Sequence, residues 1–317
     1  MDNDGNIKAA VPCVSYLSAG REVDGFELFP GISLEFLTLN SGCLSIAGCG
    51  SEEKLLEINY CKSGRLSLKL SGGQSVCLGP GDFSVHVSGN CAERVTPLPS
   101  GRYEGLRLLV DLIALTREPP ELLSGTGITG EMLYDKFSSG CPLSSFAGNH
   151  ATAGIFDGFY GQPDELRTAC LRVKTLELLL YLATLAPPED GNLTECRAEQ
   201  VETVRRIHRH LMEHLDQRFT IEELSKEYLM NPTTLKEVFK SVYGTSIAAH
   251  IKEHRMEEAA RLLRDDSLSL SYIAAKVGYT NQSKFTAAFK EQFGMLPREY
   301  RKQPPAPPRD DSYGPLI

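Results

Sequence analysis

Phe239-Lys240-Ser241-Val242-Tyr243-Gly244 returns later in the chain as Phe289-Lys290-Glu291-Gln292-Phe293-Gly294. Leu235 and Phe285 share that spacing, while Ile221, Leu224 and Tyr228 match Leu270, Ile273 and Val277 at a spacing one residue shorter. The extra residue belongs to the turn inside the second copy. Each copy reads as two short helices. In the first, Thr220 followed by Glu223 forms a capping box, and Ile221, Leu224 and Tyr228 make the inner face. Leu229-Met230-Asn231-Pro232 makes the turn, with Pro232 suited to the first helical position. The next helix runs over 233–242 and buries Leu235, Val238, Phe239 and Val242, and Gly244 ends it in the left-handed conformation. In the second copy Ser269 opens the helix and Val277-Gly278-Tyr279-Thr280-Asn281 makes the turn. Gln282 to Phe293 follows, burying Phe285, Phe289 and Phe293, and Gly294 ends it. Two short helices joined by a tight turn form a helix-turn-helix.

Between the copies, Ile247 to Arg264 keeps an unbroken helical period through Ile251, Arg255, Met256, Ala259, Leu262 and Leu263. A helix of that length spans about 27 Å. With its short connections it sets the two second helices roughly 34 Å apart, one turn of duplex, so that both enter successive major grooves on one side of DNA. Helix phase leaves Thr233, Thr234, Lys236, Glu237 and Lys240 outside the first core, and Gln282, Ser283, Lys284, Thr286, Ala287 and Lys290 outside the second. Gln and Ser bond base edges, Lys reaches guanine or phosphate, and Thr and Ala methyls contact a thymine methyl. These eleven residues are the candidate DNA contacts. The bland alternative, a solvated face on an amphipathic helix, loses to the combination of repeat, glycine-ended second helices and linker length.

Residues 200–302 resemble the DNA-binding domain of the AraC/XylS family of transcription regulators. The resemblance is carried by Arg255-Met-Glu-Glu-Ala259-Ala-Arg-Leu262-Leu263, Ile273-Ala274-Ala-Lys-Val-Gly278-Tyr279, Ser283-Lys-Phe285-Thr-Ala-Ala-Phe289-Lys290 and Gly294-Met-Leu-Pro297-Arg-Glu-Tyr300-Arg301. It covers about a third of the chain and implies seven helices, the first over Val201–Arg218. It also implies base readout by Thr233, Lys236 and Glu237, then by Gln282, Ser283, Thr286 and Ala287. Ala287 stands where many relatives carry a longer polar side chain, so the resemblance implies that readout by the second copy is either weaker or leans on phosphate contacts such as Lys284 and Lys290.

Charge follows the same division. The 317-residue chain carries a net charge of −8, yet residues 197–302 are net +3 and the remainder net −11. Five of the seven histidines also lie within residues 197–302. A weakly basic module attached to an acidic one fits one DNA-facing domain and one that is not. The composition, 41% hydrophobic and 23% charged, is that of an ordinary globular chain, and the length predicts two domains. The longest apolar stretch, Leu178 to Pro188, is far short of the roughly 20 residues that span a bilayer. The acidic start Met1-Asp2-Asn3-Asp4-Gly5 lacks a charged-then-apolar leader, and nine cysteines in a chain of this size point to reduced thiols. A cytoplasmic, nucleoid-associated protein without a membrane partner is the expectation.

The first 115 residues read as strands. Ile32 to Leu39, Arg65 to Leu70, Ser75 to Leu78 and Phe83 to Val87 alternate between the turns Ser71-Gly72-Gly73-Gln74 and Gly79-Pro80-Gly81-Asp82. An antiparallel sandwich or barrel is predicted, and the family resemblance favours a cupin-like barrel that senses a small molecule. Tyr60, Ser67, Lys69, His86 and Arg107 are the candidate effector residues lining it. From Asp164 the period becomes helical through Leu166, Cys170, Val173, Leu176 and Leu180, widened by Leu178, Leu179 and Leu182. Helix 164–186 either covers the barrel or pairs two subunits as a homodimer. Pro187 to Asn192 reads as a linker, and the proline-rich segment after Lys302 as a disordered tail.

The predicted fold is therefore α+β and multidomain: an N-terminal antiparallel β-barrel with helices, then an all-α domain of two helix-turn-helix units on a linker helix. Its parts are a sensing domain over 1–160, a helical coupling and dimerisation segment over 161–190, a DNA-binding domain over 197–302 and a tail over 303–317. An enzyme is not expected, and no cofactor or metal is assigned. Metal-binding cupins carry a His-x-His, whereas Tyr60 to Leu70 holds no histidine, and His86 alone cannot supply the three protein ligands a catalytic metal needs. Cys43, Cys49, Cys61, Cys77 and Cys91 contain no pair at zinc-site spacing, and no phosphate loop or Gly-x-Ser-x-Gly elbow occurs. The expected partners are double-stranded DNA, a small-molecule effector and RNA polymerase. The alternatives are a cupin metalloenzyme fused to a DNA-binding domain, and a constitutive or protein-gated DNA binder.

Overall fold

The computed structural model describes residues 21–39, 43–46, 54–69, 74–87, 94–97, 103–138, 143–186, 193 and 195–302. The linker at 187–192, the tail at 303–317, Cys49, Cys91 and the side chain of Lys69 lie outside them. The chain divides near Val201 into an N-terminal and a C-terminal unit.

In the N-terminal unit, strands β1 (Arg21–Phe29), β2 (Ile32–Leu39), β3 (Cys43–Ile46), β4 (Leu55–Gly64), β5 (Leu66–Lys69), β6 (Gln74–Leu78), β7 (Phe83–Val87), β8 (Arg94–Pro97) and β9 (Tyr103–Asp111) come first. Helices α1 (Leu112–Arg117) and α2 (Gly130–Ser138), strand β10 (Ser144–Phe146), helices α3 (His150–Asp157) and α4 (Arg167–Thr184) and strand β11 (Glu195–Arg197) follow. A six-stranded antiparallel sheet runs in the order β1-β2-β9-β4-β7-β10, beside a three-stranded sheet β11-β6-β5 and a β3-β8 pair. The first hairpin turns at Pro30-Gly31, where Gly31 takes the left-handed conformation (φ 73°).

Alternation gives the large sheet two buried faces. Leu34, Leu56, Ile58, Tyr60, Leu106, Leu108, Phe83 and Val85 point to one side, where they pack with Leu112, Leu133, Phe137, Phe156, Leu171, Leu178, Leu179 and Leu182 of α1 to α4. On the other side Leu37, Cys61 and Tyr103 pack with Leu66 and Leu68 of β5 and Val76 and Leu78 of β6. The predicted closed barrel is thus corrected to an open sheet whose edge strands are β1 and β10. The cause lies at the end of β4. The register shifts between Cys61 and Ser63, Gly64 turns with φ 76°, and the chain enters the second sheet instead of continuing in the first.

Helix α4 corrects the expected apolar face. Leu171, Thr175, Leu176, Leu178, Leu179 and Leu182 are buried, and Arg172 donates to the Leu28 carbonyl at 2.8 Å. Leu166, Val173 and Leu180, predicted to lie on the same stripe as Leu176, instead form an outer one, 58%, 61% and 45% exposed. The helix is apolar on two sides, which is why a single face fitted to its sequence merged them.

In the C-terminal unit seven helices run between Ala198 and Lys302: α5 (Ala198–Glu213), α6 (Ile221–Glu227), α7 (Pro232–Tyr243), α8 (Ile247–Leu262), α9 (Leu270–Lys276), α10 (Gln282–Phe293) and α11 (Pro297–Lys302). The repeat sets the core. Leu224 and Ser225 of α6 are buried, as are Ile273 and Ala274 of α9. Leu235, Val238 and Phe239 of α7 are matched by Phe285, Ala288 and Phe289 of α10. Arg255 of α8 fastens the end of the preceding segment: its Nε donates to the Leu215 carbonyl at 2.8 Å, and its other guanidinium nitrogen to that of Gln217.

Candidate nucleic-acid interface

Both second helices start and stop in the same way. Asn231 accepts from the Thr233 backbone N–H at 2.9 Å ahead of α7, and Asn281 accepts from those of Ser283 at 2.8 Å and Lys284 at 3.2 Å ahead of α10. Each cap satisfies N–H groups that the helix start leaves unbonded. Gly244 and Gly294 close the two helices at φ 79° and 72°. The preceding helices are capped too. Thr220 and Glu223 exchange their predicted reciprocal bonds at 2.8 and 3.2 Å, and Ser269 accepts from the Tyr272 N–H at 3.1 Å.

The structure leaves Thr233, Lys236, Glu237 and Lys240 of α7 exposed and Thr234 half-buried. On α10, Gln282, Ser283, Lys284, Ala287 and Lys290 are exposed and Thr286 is half-buried. All eleven candidate DNA contacts therefore lie outside the two cores, with polar or small side chains at the helix starts and lysines along their length. A cleft of about 460 Å³ adjoins the start of α10, lined by Leu270, Ser271, Gln282, Arg298, Arg301 and Lys302. Its three cations sit beside the exposed Gln282. Arg298, Arg301 and Lys302 were not among the sequence candidates. The signal was the basic run Arg298-Glu-Tyr-Arg301-Lys302, which reads as a helix end until α11 is seen beside α10.

The candidate effector residues separate. His86 and Arg107 are buried on the inner face of the large sheet, where register aligns a polar row across five strands. Glu35 stands opposite Arg107, Arg107 opposite Asn59, Asn59 opposite Ser84 and Ser84 opposite Ser145. Arg107 Nε donates to Glu35 Oε2 at 3.1 Å. Glu57 accepts from Asn59 at 2.9 Å and lies 3.3 Å from His86 Nε2. The hydroxyls of Ser84 and Ser145 are buried without a hydrogen-bond partner. Tyr60 lies on the opposite face, stacked 4.2 Å from Phe156, where burial pushes its phenol up to about 12. Ser67 is buried on β5 and alternates away from the Leu66–Leu68 side.

Residues 224–303 match the profile of a family described as a helix-turn-helix domain. The chain is 32% identical over 134 residues to the transcriptional regulator ExsA of Pseudomonas aeruginosa, covering 42% of this chain and 47% of that protein. It is 34% identical over 96 residues to the virulence regulon activator VirF of Yersinia enterocolitica, covering 30% and 35%. The chain thus spans less than half the length of either relative. Among solved structures, the C-terminal domain of the response regulator AraT from Geobacillus stearothermophilus is 31% identical, over 35% of this chain and 93% of that one, with a TM-score of 0.32. Residues 224–303 thus carry a helix-turn-helix domain, and over that stretch the chain is similar to transcription regulators.

Proposed function

We propose that the chain is a sequence-specific DNA-binding transcription regulator that reads DNA with the exposed sides of α7 and α10. The observation that carries this reading is the repeat itself: two helices with matching asparagine caps, matching glycine ends and matching buried rows, each leaving polar side chains outward. Gln282, Ser283, Thr286 and Ala287, with Thr233, Lys236 and Glu237, are its base-edge contacts. Thr234, Lys240, Lys284, Lys290 and the cations of α11 hold phosphate. In quantitative binding to a selected site, Gln282→Ala costs about 1–3 kcal/mol and loses preference at one base pair. Lys290→Ala weakens every sequence alike and flattens the salt slope by about one. Equal losses on all sequences for both variants would overturn the assignment.

In the same reading, the sheet unit is the sensor. The row Glu35, Arg107, Asn59 and Ser84, with Glu57 and His86, suits a small polar effector better than an apolar one, because the buried hydroxyls of Ser84 and Ser145 at its end have hydrogen bonds still to make. Helix α4 couples two copies through Val173 and Leu180 on its outer side, with Leu166 at its N-cap one heptad before Val173. The double variant Val173→Glu, Leu180→Glu sediments as a monomer with unchanged thermal stability, because neither side chain is in the core. An unchanged dimer, or a monomer in the wild type, would remove α4 from that role.

A further inference from the structure

Three imidazoles meet in the C-terminal unit, and none of them is among the candidate DNA contacts. His250 and His254 lie one turn apart on α8, and His208 comes from α5. Their ring centres are 4.5 Å apart for His250 and His254, 5.0 Å for His208 and His250, and 5.9 Å for His208 and His254. One ring nitrogen from each lies within 4.8 Å of the other two. We propose that His208, His250 and His254 form a binding site for a divalent transition metal of the zinc type, joining α5 to α8.

The geometry fits the chemistry at several points. Two imidazoles on one tetrahedral zinc, with bonds of about 2.0–2.1 Å, hold their nitrogens roughly 3.3–3.4 Å apart. His250 Nε2 and His254 Nε2 are 3.2 Å apart. The other nitrogen of His254, Nδ1, faces Glu257 Oε2 at 2.9 Å. A carboxylate on the far nitrogen is the usual means of orienting a ligating imidazole and raising its basicity. All three rings are half-buried, so a small ion reaches them while the protein holds them in place. Imidazole ligands favour zinc, copper, nickel or cobalt over magnesium or calcium.

The repeat supplies an internal control. His250 occupies the place that Tyr300 has in the second copy. His250 meets the edge of Phe239 at 5.5 Å and 74°, and Tyr300 meets Phe289 at 5.4 Å and 79°. An aromatic ring at this position therefore packs the core equally well without a ligating nitrogen. Packing alone does not require the imidazole at 250, and a metal does. Because the ring touches Phe239 of α7, an ion at the site also braces the helix that carries Thr233, Lys236 and Glu237. The competing account is a ring-to-ring hydrogen bond between His250 and His254, which needs no ion.

The test uses the full chain, stripped with chelator and titrated with zinc or with cobalt alone under reducing conditions. The expected result is one ion per chain, a cobalt spectrum with the visible bands of a tetrahedral site rich in nitrogen, and a zinc-dependent rise in the melting temperature of the C-terminal unit. His250→Tyr, which copies the second unit and preserves the packing, and His254→Gln each lower affinity on the order of a hundredfold or more, and Glu257→Gln lowers it roughly ten- to hundredfold. His214→Gln, outside the cluster, leaves it unchanged. Absence of binding at micromolar metal, or binding that survives His250→Tyr with His254→Gln, overturns the site. Metal held with a thiolate spectrum also overturns it, because the ligands would then be cysteines.

Discussion

Gly278→Ala removes roughly 2–4 kcal/mol from the stability of the C-terminal unit, read by urea unfolding. Gly278 sits in the turn between α9 and α10 at φ 78°, a conformation costing an L residue about 1–2 kcal/mol. A Cβ there meets the Leu215 carbonyl oxygen at 2.7 Å and the Arg255 guanidinium at 2.8 Å. Neither gives way cheaply, since Arg255 is bonded to that same carbonyl at 2.8 Å. The matching turn of the first copy makes the opposite prediction. There Leu229 holds φ 52° and is 93% exposed. Leu229→Gly relieves the backbone without emptying any core, and should gain about 1 kcal/mol. If Gly278→Ala cost less than about 0.5 kcal/mol, the tight turn of the second copy would not be the constraint claimed for it.

Arg107→Ala should destabilise the N-terminal unit by about 3–5 kcal/mol, because it leaves the Glu35 carboxylate buried beside a vacated guanidinium. Arg107 is 1% and Glu35 7% exposed, so water does not reach in to compensate. Replacing both by leucine should recover most of the loss, since two apolar side chains demand no desolvated charge. The comparison separates two accounts of the polar row. If the pair only packs, the double variant regains stability and every response to ligand. If the row binds the effector, it regains stability and loses that response. A single Arg107→Ala variant as stable as the wild type would contradict the burial and the ion pair together.

The C-terminal unit was the more legible part of the sequence. Helix period and capping chemistry are local. Thr220 with Glu223, Pro232 at a helix start and Gly294 at a helix end each act within four residues, so the α10 span Gln282–Phe293 is readable from the chain alone. The same is true of β2 and β7, whose alternation is local. Sheet order is not. Strands β4 and β9 are buried on both faces and read as mixed runs, and the polar row exists only once β2, β9, β4 and β7 are in register. Tyr60 and His86 both looked like interior residues, yet strand phase put them on opposite faces. The histidine cluster was hidden for a similar reason. His250 and His254 are one helical turn apart in sequence, but His208 joins them only through the packing of α5 against α8.

The claim on which the account rests is that α7 and α10 read DNA sequence side by side. Selection of oligonucleotides from a random pool by the full chain, followed by footprinting of the winners at moderate ionic strength, tests it most directly. The expected result is an enriched motif protected in two segments about one helical turn apart. Enrichment of no sequence over random competitor, or a single protected segment indifferent to Gln282→Ala, would contradict it.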